Sequence, residues 1–148
     1  MKFVIQRVIN SSVEVDGKIV GKINKGFNIL VGIHKNDTKE IADKMVKKTI
    51  KLRIFEDDNG KMNLNIKDVS GEILVISQFT LLANMARGNR PSFIEAGIPE
   101  MSNEIYEYIV SEFKKNIAIV ENGIFGADMK VNILNDGPVT IVLDSNNI

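Results

Sequence analysis

The groups in this chain best suited to chemistry are hydroxyls, amides and guanidiniums gathered in four short stretches. In the first, Ser77, Gln78, Phe79 and Thr80 follow the apolar run "EILVI". Polar groups arriving at the end of a buried strand sit where open sheets present their ligands. A hydroxyl there could act as nucleophile or position one against backbone amides; equally, Thr80 could be present only as a β-branched strand residue. The second stretch, "RGNRPSF", sets Arg87 and Arg90 in a Gly-containing loop, a pattern that suits bidentate phosphate binding or a structural tie to a carboxylate. The third, "GIFGADM" at residues 123–129, reads as a tight turn with Phe125 in the core, or as backbone approaching a ligand with Phe125 stacked on a base. The fourth, "LNDGPVT" at residues 134–140, reads as a strand-joining turn with a trans bond, since only about 5 to 6% of X-Pro bonds are cis. Were Gly137-Pro138 cis, two adjacent carbonyls could point one way and hold an ammonium group.

What is missing narrows the chemistry further. The chain has no cysteine and a single histidine, His34, so thiolate catalysis and cysteine-based zinc sites are excluded and a Ser-His-Asp triad has one candidate base. No GxSxG, P-loop, HExxH or CxxC motif occurs, and no acidic spacing suggests a metal. Lys and Arg balance Asp and Glu at 19 each, so any RNA contact must be local rather than driven by a global field.

The elements that must position these groups follow from periodicity. With 148 residues, 44% of them hydrophobic, the chain suits one self-sufficient domain spanning 1–148. Two alternating runs flank Asp16-Gly17 in "SVEVDGKIVGKI", the pattern of a hairpin. "GFNILVGI" at 26–33 predicts a strand buried on both faces, and "GEILVISQF" at 71–79 a central strand. Asp37 with Glu40 predicts a capped helix start, followed by an apolar stripe of Ile41, Met45, Val46 and Leu52 with lysines on its solvated face. A second helix is expected from Pro99, with Met101, Ile105, Tyr108, Ile109 and Phe113 facing inward. Strands at 129–134 and 139–143 are expected to close the chain around the Gly-Pro turn. The fold class is therefore α+β, mainly antiparallel and barrel-like, with two main helices. Gln6 and Arg7 interrupt the N-terminal apolar run, which is unlike a signal peptide, and no run nears the roughly 20 residues of a spanning helix. A soluble, cytoplasmic protein without membrane contact is expected.

Taken together and in order, "SQFTL", "GNRPSF", "FGADM" and "NDGPVT" behind "VIQRV…SSVEVDG" resemble the D-aminoacyl-tRNA deacylases over essentially the whole chain. The resemblance implies a homodimeric editing enzyme without metal or organic cofactor. Such an enzyme hydrolyses the ester of D-aminoacyl-tRNA at the 3′-terminal aminoacyl-adenosine, and of mischarged glycyl-tRNA as well. It makes Gly137-Pro138 a Gly-cisPro chiral filter inserted into the partner's active site, where its carbonyls hold the α-amino group and an L side chain collides. It places Ser77, Gln78, Phe79 and Thr80 at the reacting ester, Phe125, Gly126, Ala127 and Met129 in the substrate pocket, and Arg7 as a brace for the filter. Thr80 matches a threonine proposed as nucleophile in that family. An aminoacyl ester is already activated, however, so a positioned water and amide donors could suffice, with the terminal ribose hydroxyl assisting and Thr80 positioning the substrate.

One segment departs from the family pattern: "LLANMARGNRPSF" stands where "LYADTRKGNRPSF" is usual, so Leu82 replaces a tyrosine and the charge pattern over 84–87 differs. Docking of tRNA is where that difference would be felt. Two other readings remain open on sequence alone: an esterase for small activated esters that ignores tRNA, and a non-catalytic RNA-binding dimer using Arg87, Arg90 and Phe125.

Overall fold

Alternation along the strands creates two separate cores, one on each face of a single sheet. The computed structural model describes residues 1–148. Chain order is β1 (Lys2–Val15), β2 (Lys18–Ile23), β3 (Gly26–Gly32), α1 (Lys39–Ile50), β4 (Phe55–Glu56), β5 (Met62–Leu64), β6 (Glu72–Ser77), a 3-10 turn (Phe79–Leu82), α2 (Pro99–Lys114), β7 (Val120–Asn122) and β8 (Lys130–Asp144), with a last 3-10 turn at Ser145–Asn147. Phe27, Ile29 and Val31 of β3, with Ile73 and Val75 of β6, face the helices and join the larger cluster. Leu74 and Ile76, one residue out of phase, join Val8, Val13 and Ile23 in a small second core, with Leu30 packed against it. Strands buried on both faces read as continuous apolar runs, which is why β3 and β6 carry no polar alternation.

The main sheet has six strands in the order β2-β1-β3-β6-β7, with β8 along the free edge of β1. The first half of β1 pairs antiparallel with β3 and its second half with β2, across a turn in which Asp16 and Gly17 both have positive φ. The helical connections make β3, β6 and β7 parallel, a feature not expected from the strand count alone. The two ends of the order curl towards each other: a Cβ added at Gly21 of β2 would lie 3.1 Å from the Asn122 carbonyl of β7. A mainly antiparallel, nearly closed barrel with two helices results, as the sequence predicts.

α1 buries Ala42, Met45, Val46, Thr49 and Ile50, the i, i+3, i+4, i+7, i+8 set of one helix face. Its cap is Thr38, which accepts from the Ile41 amide at 3.4 Å, and not Asp37. The Asp37 carboxylate instead accepts the His34 amide at 2.6 Å and the buried Met1 ammonium at 2.9 Å. A buried cation outcompetes an exposed amide for that carboxylate. In α2 the inward tyrosine is Tyr106 rather than Tyr108; Tyr108 reaches across to α1 and donates to Asp43 at 2.8 Å. Leu52 lies beyond the end of α1.

The two expected closing strands are one. β8 continues through Gly137-Pro138, and its register against β1 slips so that Gln6 faces Thr140 while Val8 faces Asn135. Two steps along β1 thus correspond to five along β8, and residues 136–139 bulge from the ladder instead of reversing the chain. The Gly137-Pro138 bond is cis.

Candidate active site

β3 and β6 run parallel, so both deliver their carboxyl ends to the same edge of the sheet, the place where such sheets hold ligands. A cavity of about 720 Å³ opens there. Its floor is Val31, Ile33, Ile76 and Ser77, with Gln78 and Phe79 leading away from β6. Phe125, Gly126, Ala127 and Met129 form one wall, and the segment from Phe93 to Pro99 forms the other. The stretches at 77–79 and 125–129, far apart in the chain, therefore meet at one cavity. A smaller hollow of about 320 Å³ between Ile66 and Ile119, at the opposite end of β6, contains none of the motif residues.

Packing fixes each wall. Phe125 lies against the Tyr106 ring at 5.9 Å between centroids, and the Tyr106 hydroxyl donates to the Val75 carbonyl at 2.8 Å. Burial pushes the Tyr106 phenol far above its ordinary range, so it is a fixed neutral donor. Phe79 meets Phe93 edge to face at 4.9 Å, a favoured aromatic geometry. The opposite wall is tied to the end of β3: the Lys35 amide donates to the Glu95 carbonyl at 3.0 Å and the Gly97 amide to the Ile33 carbonyl at 2.9 Å. His34 Nδ1 accepts from the Asn36 amide at 3.1 Å, and its Nε2 lies 3.0 Å from Glu95 Oε2. The Lys35 ammonium and then the His34 ring hold the Glu95 carboxyl below its usual range.

Thr80 lies just off the cavity wall, exposed in the 3-10 turn, where its hydroxyl oxygen accepts from Gln78 Nε2. That contact leaves the Thr80 hydroxyl proton free to donate to a ligand.

Arg7, Gly137 and Pro138 form a second centre that does not line the cavity of the same chain. Arg7 is 5% exposed; its Nε donates to the Asp136 carbonyl at 3.1 Å and its Nη1 to the Ile54 carbonyl at 2.8 Å. The Asp136 carboxylate lies 3.4 Å from Nε. Asn135 brackets the bulge, accepting the Val139 amide at 2.8 Å and donating to the Val139 carbonyl at 3.2 Å. Gly137 has φ of +129°, and a side chain there would meet Val139 at 2.8 Å and Arg7 Nη2 at 3.0 Å. Gly137 and Pro138 themselves are exposed.

Sequence reasoning missed the wall of residues 93–98 and its His34-Glu95 tie. The signal was there: "FIEAGIP" is apolar yet has no helical or strand period, and it leaves Ile94 77% and Ile98 65% exposed, an unusual outlay for a mere connector.

Kinship with known proteins agrees with this geometry. The family described as D-Tyr-tRNA(Tyr) deacylase matches residues 4–144. A protein of Sulfurihydrogenibium sp. (strain YO3AOP1) named D-aminoacyl-tRNA deacylase is 58% identical over 96% of each chain. One of that name from Aquifex aeolicus (strain VF5) is 54% identical over 100% of both. Among solved structures, "c-Myc DNA Unwinding Element Binding Protein" superposes with a TM-score of 0.92 at 40% identity, covering 97% of this chain and 98% of that one. A "probable eukaryotic D-amino acid tRNA deacylase" shares the fold at a TM-score of 0.83 and 14% identity, over 96% and 97%. Fold, cavity and kinship define the class, a small α+β hydrolase with a strand-end pocket. Within it, this chain belongs to the D-Tyr-tRNA(Tyr) deacylase family.

Proposed function

We propose that this protein hydrolyses the ester of D-aminoacyl-tRNA, and of mischarged glycyl-tRNA, in the cytoplasm as a proofreading step of translation. The observation that carries the reading is the meeting of residues 77–79 with 125–129 at one cavity, in a chain whose family match spans 4–144. The cavity is mostly apolar, with the Ser77 hydroxyl and the Gln78 amide among its lining, which suits a terminal nucleoside bearing a small acyl group.

In the proposed reaction a water attacks the ester carbonyl carbon, the bond to the ribose oxygen breaks, and one water proton ends on that oxygen. The products are the free amino acid and tRNA. Backbone amides beside Ser77 and Phe79 stabilise the oxyanion, the Gln78 amide being committed to the Val31 carbonyl at 2.7 Å; the neighbouring ribose hydroxyl relays the proton, and Thr80 positions the ester. Because the ester is activated, no strong general base is needed, and His34 is occupied by Glu95 and Asn36.

Selectivity falls to Gly137-Pro138 acting across a homodimer, each protomer's bulge entering its partner's cavity. Support comes from the separation of this bulge from the cavity of its own chain, its exposure, and its bracing by Arg7 and Asn135. A backbone filter reads configuration at Cα without reading the side chain, so it accepts many D-amino acids and achiral glycine.

The test is release of free amino acid from matched D-, L- and glycyl-tRNA. Rapid release from the D and glycyl forms with the L form intact is the expected result. Equal rates for D and L would overturn the filter, and equal efficiency on D-aminoacyl esters lacking RNA would make the protein a general esterase.

A further inference from the structure

The proposed reaction uses the cavity and the 136–139 bulge but leaves the "ANMARGNRPS" segment without a role. Residues 73–94 contain no Asp or Glu, yet they hold Arg87 and Arg90. In a chain of zero net charge, this is a local excess of positive charge. The segment is a closed loop: Asn84 and Ser92 exchange both backbone hydrogen bonds, at 2.8 and 3.0 Å, and Asn84 Oδ1 accepts the Ala86 amide at 2.9 Å. Its base is the Phe79-Phe93 pair, and both rings line the cavity. The loop is thus anchored beside the cavity through its base, with every residue from 83 to 91 exposed.

Charge compensation separates these two arginines from several other cations of the chain. Lys35 pairs with Glu95 at 3.0 Å, Lys130 with Asp128 at 2.7 Å and Lys39 with Glu104 at 2.6 Å. Arg7 is spent on Asp136 and Glu56. Arg87 and Arg90 engage no carboxylate, which removes the structural tie as their explanation. A guanidinium keeps its charge at any working pH and fits a phosphodiester with two parallel hydrogen bonds.

Resting on the deacylase reading, we infer that residues 84–92 form a phosphate-binding arm. In this arm Arg87 and Arg90 hold the backbone of the nucleotides just before the aminoacylated 3′ end. A cavity of about 720 Å³ accommodates a terminal nucleoside and its acyl group but not the strand leading to it. That strand must leave past Phe79 and Phe93, the two cavity-lining rings at the base of the loop that carries the uncompensated arginines. Contacts of this kind fix register and supply affinity without reading sequence.

The experiment compares Arg87→Ala, Arg90→Ala and the double variant with the unaltered protein on D-aminoacyl-tRNA across a salt series, and on D-aminoacyl-adenosine. On tRNA, each single change is expected to raise KM about tenfold, the loss of one charge-assisted contact. It should also lower the salt slope by about one, with kcat nearly unchanged. Arg87→Lys should keep the slope while recovering part of the affinity. On D-aminoacyl-adenosine the variants should match the unaltered protein. Unchanged KM and slope on tRNA, or equal losses on both substrates, would overturn the arm. Failure of the unaltered protein to hydrolyse either substrate would instead overturn the deacylase reading on which the arm depends.

Discussion

Thr80 and Gly137 illustrate how much the role of a residue depends on its immediate partners. The Thr80 hydroxyl is held by Gln78 just off the cavity wall, where the proposed function has it orient the ester rather than attack it. Thr80→Val is therefore expected to keep single-turnover deacylation within about tenfold, since one hydrogen bond is lost and no covalent step. Complete loss of turnover with tight binding retained would restore the nucleophile role. Gly137 answers to a different constraint: at φ of +129° with Arg7 Nη2 3.0 Å from a would-be Cβ, any side chain is both strained and crowded. Gly137→Ala should cost about 1–3 kcal/mol in denaturant unfolding and, by displacing Arg7, should weaken rejection of L-aminoacyl-tRNA more than it slows the D substrate. At this scale the sequence disclosed the actors but not their contacts. Arg7 could be matched to a brace only through resemblance; its bond to the Ile54 carbonyl bridges 47 residues of chain and leaves no local pattern.

Among the elements, those whose cause is local were legible and those whose cause is a distant partner were not. The Asp16-Gly17 hairpin and the Pro99 helix start follow from turn and cap chemistry within a few residues, and both stand as expected. The continuity of β8 through Gly137-Pro138 depends instead on β1, whose edge offers hydrogen bonds on both sides of the bulge. The 93–98 wall depends on the end of β3 in the same way. Glu95→Gln, which weakens the tie to Lys35 and His34, is expected to raise KM with little change in kcat, because it loosens a wall and touches no reacting atom. The α1-α2 contact gives a pH signature. Hydrogen bonding to Asp43 pushes Tyr108 up to about 12, and burial pushes Tyr106 up as well. Unfolded phenols ionise near 10, so the stability these residues contribute is complete below that pH and is lost as pH rises through the higher folded values. Absorbance titration should find both phenols protonated at pH 10 in the folded protein and ionising together in denaturant.

For the molecule as a whole, the α+β class and the barrel-like sheet were readable from strand density, whereas the parallel β3-β6-β7 run was not, because helical crossovers and hairpins leave the same strand periods behind. Assembly was not readable at all from composition, since no single stretch advertises an interface. Sedimentation at working concentrations should give a dimer, and variants that dissociate it should lose discrimination between D and L substrates; an active, selective monomer would remove the cross-protomer filter. The pairing of β1 with β8 has one more consequence, which concerns synthesis. Between Val15 and Lys130 lie 114 residues, counted as 130 − 15 − 1. At about 5–20 residues per second the ribosome takes roughly 6–23 s to traverse them. For that interval β1, the strand on which β2 and β3 are already assembling, carries an open edge with no partner of its own. Nascent chains are therefore most open to mispairing in that window, and a shielding chaperone would act there.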